Sequence, residues 1–184
     1  MANVFLRQEE NPVETPQYIG VIGAGTCTAG TYSVARDLGF EIGKRGWTLV
    51  CGGLKGVMEG AARGCLEAGG MTLGILPGLD KRSANPYITV PIPTGLGDGR
   101  NLLVVRSSDI LVAVAGGYGT LSEMALALKA EKPVIGLKTW KEIPGVHYAD
   151  DYLEAIQLIT TLLPLKDERP TSNVQVSEDS DIQH

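Results

Sequence analysis

The amino-acid sequence predicts an α/β fold, a single-domain Rossmann-like doubly wound parallel sheet flanked by helices. Short apolar runs alternate with segments of helical spacing, and glycine-rich turns join several of them. This alternation is typical of βαβ units, whose consecutive strands run parallel. The length of 184 residues suits one hydrophobic core, because a domain usually takes roughly 100 to 200 residues.

The first unit shows how each element is justified. Residues 18–22 form an apolar run that predicts a strand, and a glycine turn follows at 23–26. Within 31–45, Val34, Leu38 and Ile42 recur at helical spacing, and Gly46 ends the predicted helix.

The same criteria apply to the later units. Strand 48–51 runs into a second glycine turn, and helix 57–68 closes at Gly69 and Gly70. Strand 109–115 is continuously apolar from Ile110 to Ala115, as expected of a strand buried on both faces. The remaining predicted strands are 71–76, 87–90 and 133–137, and the remaining helices are 100–107, 121–130 and 149–162.

The chain is expected to consist of three parts. Residues 1–16 are predicted to be a polar arm, 17–164 the Rossmann-like domain and 165–184 a disordered acidic tail with few apolar residues. Within the domain, 79–99 is rich in Pro and Gly and is predicted to be a loop over a site. His147 is predicted to lie in a Pro-Gly loop with a structural role.

Charge and cysteine content exclude several classes of protein. The net charge is −5, but the arm carries −2 and the tail −3, so the domain is neutral and nucleic-acid binding is disfavoured. Three cysteines without C-x-x-C spacing and two histidines do not predict a structural metal or a disulfide framework. Because no signal peptide or membrane-spanning run is recognisable, we expect a cytoplasmic protein without membrane contact.

Three glycine-rich turns, at 23–26, 52–56 and 116–120, each follow the carboxyl end of a predicted strand. Ligands of doubly wound sheets lie beyond this edge. The third turn also opens a helix, whose first N–H groups lack intrahelical partners and carry partial positive charge. The sequence therefore predicts a site for phosphate or another anion. Its expected residues are Gly23, Gly25, Thr26, Gly52, Gly53, Lys55, Gly56, Arg100, Gly116, Gly117, Tyr118, Gly119 and Thr120.

These patterns also have structural alternatives. Thr28 stands where a dinucleotide fingerprint would have its third glycine, and Cys51 stands near the expected acidic position, so NAD is not expected. Thr120-Leu-Ser-Glu123 matches a capping box, although a capping box does not require the surrounding glycines. Arg100 is either a bidentate phosphate ligand or a surface arginine paired with Asp98 or Glu123, and Lys55 is either a phosphate contact or a solvated charge.

Three motifs resemble those of the LOG family, also called lysine decarboxylase-like, over about residues 18–162. They are Gly52-Gly-Leu-Lys-Gly-Val-Met-Glu-Gly60, Arg100-Asn-Leu-Leu-Val-Val-Arg-Ser-Ser-Asp109 and Gly116-Gly-Tyr-Gly-Thr-Leu-Ser-Glu123. The resemblance implies hydrolysis of cytokinin nucleoside monophosphates, with the glycine turn holding phosphate and with Arg100 and Glu123 as the catalytic residues. The family's Pro-Gly-Gly is here Ala115-Gly-Gly117, and its Arg-Lys pair is Arg100-Asn101.

The second motif, together with Leu121-Ser-Glu-Met-Ala-Leu-Ala-Leu-Lys129, is more similar to the branch that includes molybdenum cofactor carrier proteins. That branch implies binding and protection of the cofactor without turnover, with its phosphate on 116–120 and with the second turn and Arg100 closing the pocket. The alternatives are a nucleoside 5′-monophosphate phosphoribohydrolase and a nucleotide-sensing module. The resemblance also implies a homodimer or homotetramer, and a carrier would need a molybdoenzyme as acceptor.

Overall fold

The computed structural model describes residues 17–163, so the predicted arm, the predicted tail and residue 164 lie outside the described residues. Seven parallel strands form one sheet in the order β4-β3-β2-β1-β5-β6-β7. The strands are β1 (Tyr18–Gly23), β2 (Thr48–Cys51), β3 (Thr72–Leu76), β4 (Val90–Pro93), β5 (Ile110–Val114), β6 (Val134–Leu137) and β7 (Val146–Ala149).

Five α-helices cover the sheet: α1 (Ala29–Lys44), α2 (Val57–Glu67), α3 (Asn101–Ser107), α4 (Tyr118–Lys129) and α5 (Tyr152–Leu162). Short 3-10 turns span Lys81–Ser83 and Gly97–Arg100. None of the helices within 17–163 is long and apolar enough to cross a membrane.

The sheet separates two hydrophobic cores, and β5 contributes to both. Ile110, Val112 and Val114 pack in the core that includes α1, α2 and α5, whereas Leu111 and Ala113 pack in the core that includes α3 and α4. Successive strand residues point to opposite faces, so a strand buried on both sides must be apolar throughout. The predicted doubly wound α/β fold is therefore confirmed.

Helices α1 and α2 pack backbone against backbone. A Cβ added to Gly39 would lie 2.0 Å from the carbonyl oxygen of Ala61, and one added to Gly64 would lie 1.8 Å from that of Arg36. Glycine is required at these contacts because any side chain would separate the helices. This close packing fixes the direction in which the turns before α1 and α2 leave the sheet.

The chain winds outward from β1 to β4 and then returns to place β5 directly beside β1. The strand order reverses at this point, and in doubly wound sheets a crevice opens there beyond the carboxyl ends of the strands. The ends of β1, β2 and β5 lead into the turns at 23–26, 52–56 and 116–120. The fold therefore brings all three predicted glycine turns together at the carboxyl ends of the strands.

Several predicted boundaries are wrong. The fourth strand was expected at 87–90 but forms at Val90–Pro93. His147 lies in strand β7 rather than in a loop, and α5 accordingly begins at Tyr152 instead of residue 149. Both strands lie at the edges of the sheet, where exposed residues and neighbouring prolines hide the apolar pattern that identifies a central strand.

Candidate functional site

A cavity of about 240 Å³, here called the anion cavity, opens at the switch point between β1 and β5. Each of the three glycine turns contributes to it, together with the segment that leads into α3. Its lining residues are Ile22, Gly23, Ala24, Gly25, Gly52, Met58, Asp98, Arg100, Asn101, Gly117, Gly119, Thr120 and Glu123.

The predicted site residues fall into three groups. Those that line the anion cavity are Gly23, Gly25, Gly52, Arg100, Gly117, Gly119, Thr120 and Glu123. Thr26 and Lys55 line a neighbouring cavity instead, which also includes Gly25. Gly53, Gly56, Gly116 and Tyr118 belong to the turns but are not among the lining residues of either cavity within 17–163.

The third turn reaches α4 through an unusual backbone path. Ala115 has φ +50° and Gly116 has φ +102°, and a Cβ on Gly116 would lie 2.2 Å from Oγ1 of Thr120. The helix therefore starts at Tyr118, three residues earlier than expected. Gly117 then precedes the helix as its N-cap, while Gly119 and Thr120 lie on its first turn, and all three line the cavity.

The predicted capping box does not form. Thr120 is the third residue of α4, the N-cap is Gly117, and within the described residues no side chain caps this N-terminus. The first N–H groups of a helix have no intrahelical acceptor and lie at the positive end of the helix dipole. The start of α4 can therefore donate hydrogen bonds to an anion.

The loop after β6 holds the third turn from its other side. Thr139 Oγ1 donates a hydrogen bond to the carbonyl oxygen of Ala115 at 2.5 Å, and Trp140 Nε1 donates one to Gly117 at 3.2 Å. The rings of Tyr118 and Trp140 also contact, with centroids 5.6 Å apart. Two carbonyl oxygens of the turn are therefore bonded to this loop, which fixes the orientation of the amides that follow.

Arg100 packs against the second glycine turn. A Cβ added to Gly52 would lie 1.8 Å from Nη1 of Arg100, so glycine at this position leaves room for the guanidinium where it lies. The Nε of Arg100 is buried and has no hydrogen-bond partner among residues 17–163. A buried donor without a partner is costly, and the fold tolerates that cost at a residue that lines the anion cavity.

Glu123 is 7% exposed and lines the same cavity. Burial raises the pKa of its carboxyl to about 7, although the nearby positive charge of Arg100 acts in the opposite direction. Of the ion pairs found in the described part of the chain, none includes Glu123 or Arg100. Among the described residues, the alternative ion pair of Arg100 with Asp98 or Glu123 is therefore not formed.

Cys51 lies beneath the second turn and is fully buried. Its Sγ accepts a hydrogen bond from the Gly53 amide at 3.3 Å, and burial raises the pKa of the thiol to about 11. The thiol therefore stays protonated near neutral pH. Cys51 packs as a small apolar group at the position where a dinucleotide-binding fold would carry a ribose-binding acid.

Sequence reasoning missed several residues of this site. Asp98, Asn101 and Met58 line the cavity, while Thr139 and Trp140 hold the turn without lining it. Asp98 and Asn101 flank the predicted Arg100, so their proximity in sequence was a usable signal. Thr139 and Trp140 are far from the turn in sequence, and only the pairing of β5 with β6 brings them to it.

The fold and this edge cavity define the chain as a doubly wound α/β protein with a ligand-sized cavity at its switch point. Residues 16–164 match the model of the SLOG cluster4 family. The chain therefore belongs to the SLOG cluster4 family, within the LOG-like superfamily expected from its motifs.

Three of the similar proteins that carry functional descriptions are described by their similarity to this chain. The molybdenum cofactor binding protein of Rippkaea orientalis is 37% identical and has a TM-score of 0.77, with 82% of this chain and 99% of that chain covered. The molybdenum cofactor carrier protein of Chlamydomonas reinhardtii is 40% identical with a TM-score of 0.75, and 80% of this chain and 98% of that chain are covered.

The third is the cytokinin riboside 5′-monophosphate phosphoribohydrolase of Mycobacterium tuberculosis. It is 30% identical over 61% of this chain and 65% of its own length. The chain thus spans a little under two thirds of this relative and almost the whole of the two carrier structures. The two carrier structures support the cofactor carrier branch that the motifs indicated, and the hydrolase supports the LOG-like superfamily.

Proposed function

We propose that this protein binds, protects and carries molybdenum cofactor without chemically changing it. The observation that supports this most is the anion cavity itself, set in a fold that matches cofactor carriers over 98–99% of their length. The cofactor is a pterin with a terminal phosphate and an oxidisable dithiolene. A carrier therefore needs a phosphate site, polar contacts and shielding from water, but no nucleophile.

The phosphate is proposed to lie at the first turn of α4, on the amides of 117–120. The dipole of α4 favours a negative charge there, and Gly117 and Gly119 allow a close approach to the backbone. Arg100 supplies the neighbouring cation, since it lines the same cavity as the start of α4. The residues present therefore fit a phosphate-bearing ligand.

The remaining partners are also part of this proposal. We expect a cytoplasmic homodimer or homotetramer that delivers its ligand to a molybdoenzyme and makes no contact with nucleic acid or membrane. Leu102 and Leu103 leave part of α3 apolar and exposed, which is compatible with contact to a second copy. Light scattering tests the assembly, and a monomer at all concentrations would contradict it.

The second candidate is a nucleoside 5′-monophosphate phosphoribohydrolase, and the state of Glu123 favours it. A buried carboxyl with a pKa of about 7 is suited to general acid–base catalysis near neutral pH. In that reaction water would add to the sugar C1′ and the base would leave with a proton. Arg100 would stabilise the negative charge near the phosphate or sugar.

One pair of measurements separates the candidates. Mass spectrometry of the small molecules that copurify with the full chain should detect molybdenum cofactor or its oxidised pterin. Incubation with AMP and cytokinin nucleotides should release no base. If the wild-type protein releases base and Glu123→Gln abolishes that release, the carrier function is overturned. If the protein binds nucleotide saturably, but neither hydrolyses it nor retains molybdenum cofactor, it is a nucleotide sensor.

A further inference from the structure

A second cavity, of about 650 Å³, adjoins the anion cavity. The two share Gly25 and Met58 as lining residues. One wall of the second cavity is formed by Leu54, Lys55, Met58 and Glu59, from the second glycine turn and the start of α2, and the facing wall is formed by 83–86. A phosphate at α4 does not fill this space, so a longer ligand could extend past Met58 into it.

Asn85 makes the facing wall a fixed part of the fold. This residue is 8% exposed, and its Nδ2 donates a hydrogen bond to the carbonyl oxygen of Leu54 at 2.7 Å. Its backbone N–H donates to Gly53 at 2.9 Å, and its Oδ1 accepts from the Tyr87 N–H at 3.1 Å. The loop predicted to cover a site is thus fastened to the second glycine turn.

The chemistry of the lining combines apolar walls with two opposite charges. The apolar side chains are those of Leu54, Met58, Ala84 and Pro86. The charged ones are Lys55 and Glu59, and neither takes part in an ion pair within the described range 17–163. Apolar walls suit the faces of a flat ring, while the two charges can bond groups on its edge.

The opposite charges of Glu59 and Lys55 distinguish flat heterocycles by the hydrogen-bond donors and acceptors on their edges. A carboxylate only accepts hydrogen bonds, and an ammonium only donates them. A fused ring with a 2-amino-4-oxo pyrimidine edge, as in pterin or guanine, offers amino and ring N–H donors beside a carbonyl acceptor. Adenine presents its amino group beside the ring N1, which is an acceptor, so it offers Glu59 one donor where the 2-amino-4-oxo edge offers two, and its N1 lone pair would face the second carboxylate oxygen.

We propose that this second cavity, the ring cavity, binds the 2-amino-4-oxo edge of a fused heterocycle whose phosphate lies in the anion cavity. Glu59 accepts from the amino and ring N–H groups, and Lys55 donates to the carbonyl oxygen. The proposal rests on the proposed function, since it assumes a phosphate at α4. It extends that function by specifying the edge of the heterocycle that is bound and the two residues, Glu59 and Lys55, that bind it.

The test measures binding of GMP, AMP, ribose 5-phosphate and guanosine to the full chain by calorimetry. Wild type should bind GMP at least about tenfold more tightly than AMP, because a hydrogen bond to a charged group contributes that much. Glu59→Gln should remove this preference and leave ribose 5-phosphate binding within about twofold. Glu131→Gln, an exposed position after α4, is the matched control and should behave as wild type.

A second variant, Ala84→Phe, adds volume to a wall that only the ring cavity has. It should weaken GMP and guanosine binding and spare ribose 5-phosphate. The proposed role of the ring cavity would be overturned if wild type bound GMP and AMP with equal affinity. It would also be overturned if Glu59→Gln lowered the affinities for GMP and for ribose 5-phosphate equally. Binding of guanosine through Glu59 without binding of ribose 5-phosphate would retain the ring cavity and refute the anion cavity.

Discussion

The second and third glycine turns contain glycine for different reasons. In the second turn, Gly56 has φ +67°, and a Cβ there would lie 2.3 Å from the carbonyl oxygen of Ala24. In the third turn, Gly117 and Gly119 have no positive φ, and an added Cβ would meet no described heavy atom within 4 Å. The protein's own packing explains glycine at 56 but does not explain it at 117 and 119.

This comparison indicates where a ligand approaches. Open space beside a glycine is expected where another molecule contacts the backbone, and both open glycines line the anion cavity. Gly116 is different, because its φ of +102° requires glycine for the turn itself. The third turn thus combines one glycine required by the fold with two that leave the start of α4 accessible.

The largest expected effect is on the second turn. Gly56→Ala should lower the free energy of unfolding by about 3 kcal/mol or more, since it adds both backbone strain and a steric clash. Urea unfolding measures the loss. Gly78→Ala is the control, because its added Cβ meets no described atom within 4 Å and its φ is ordinary; equal stability of the two variants would refute the packing explanation.

Two substitutions of Ala115 test the backbone path of the third turn, because they should change stability in opposite directions. Its φ of +50° is unavailable to proline, and its N–H donates to the Leu137 carbonyl oxygen at 3.1 Å. Ala115→Pro should therefore lower the free energy of unfolding by about 3 kcal/mol. Ala115→Gly should raise it by up to about 1 kcal/mol, because glycine relieves the backbone strain. Thermal unfolding of both proteins checks this, and a stable proline variant would contradict the observed backbone path.

Glu123 gives the anion cavity a pH dependence. Its carboxyl pKa is about 7 in the folded state against 4.5 for the ordinary group, so the folded state favours the protonated form. This group therefore destabilises the protein progressively as the pH rises from about 4.5 to 7, by about 3 kcal/mol at most.

Glu123→Gln removes the titration. The stability difference between the variant and wild type should therefore shift in favour of the variant between pH 5 and pH 8. Urea unfolding at both values measures it. A constant difference across this range would show that the Glu123 carboxyl is not shifted upward.

Gly119→Ala should separate stability from binding. Alanine stabilises helices relative to glycine, by up to about 1 kcal/mol, and the added methyl meets no atom of the described chain within 4 Å. The variant should be at least as stable as wild type but should bind ribose 5-phosphate about tenfold more weakly, because the methyl occupies the proposed phosphate position. Calorimetry and urea unfolding together measure both effects, and unchanged affinity would place the phosphate elsewhere.

The central part of the fold could be predicted because its patterns are local. The continuous apolar run of β5 and the glycine turn after it indicate a buried parallel strand and its exit. The same reasoning failed at β7, where His147 and Tyr148 are exposed and an adjacent Pro144-Gly145 favours a loop. An edge strand is stabilised by its neighbour more than by its own sequence.

The candidate site shows the same limit. Arg100 and Glu123 were identified from motifs, and the structure brings them to one cavity. The capping box was wrong because Gly116 turns the chain early, so Thr120 is inside α4 when the local sequence alone would place it at the cap. Asn85, Thr139 and Trp140 act through contacts between distant segments, and no local pattern marks such contacts.

The indole of Trp140 also provides a built-in optical signal. Its N–H is bonded to the Gly117 carbonyl oxygen, so a ligand that moves the start of α4 should alter the polarity around the ring and hence its fluorescence. The other tryptophan, Trp47, immediately precedes β2. It therefore lies at the amino ends of the strands, away from the carboxyl ends where the anion cavity opens. A Trp47→Phe protein would therefore emit from a single indole beside the anion cavity, which allows titrations without labels.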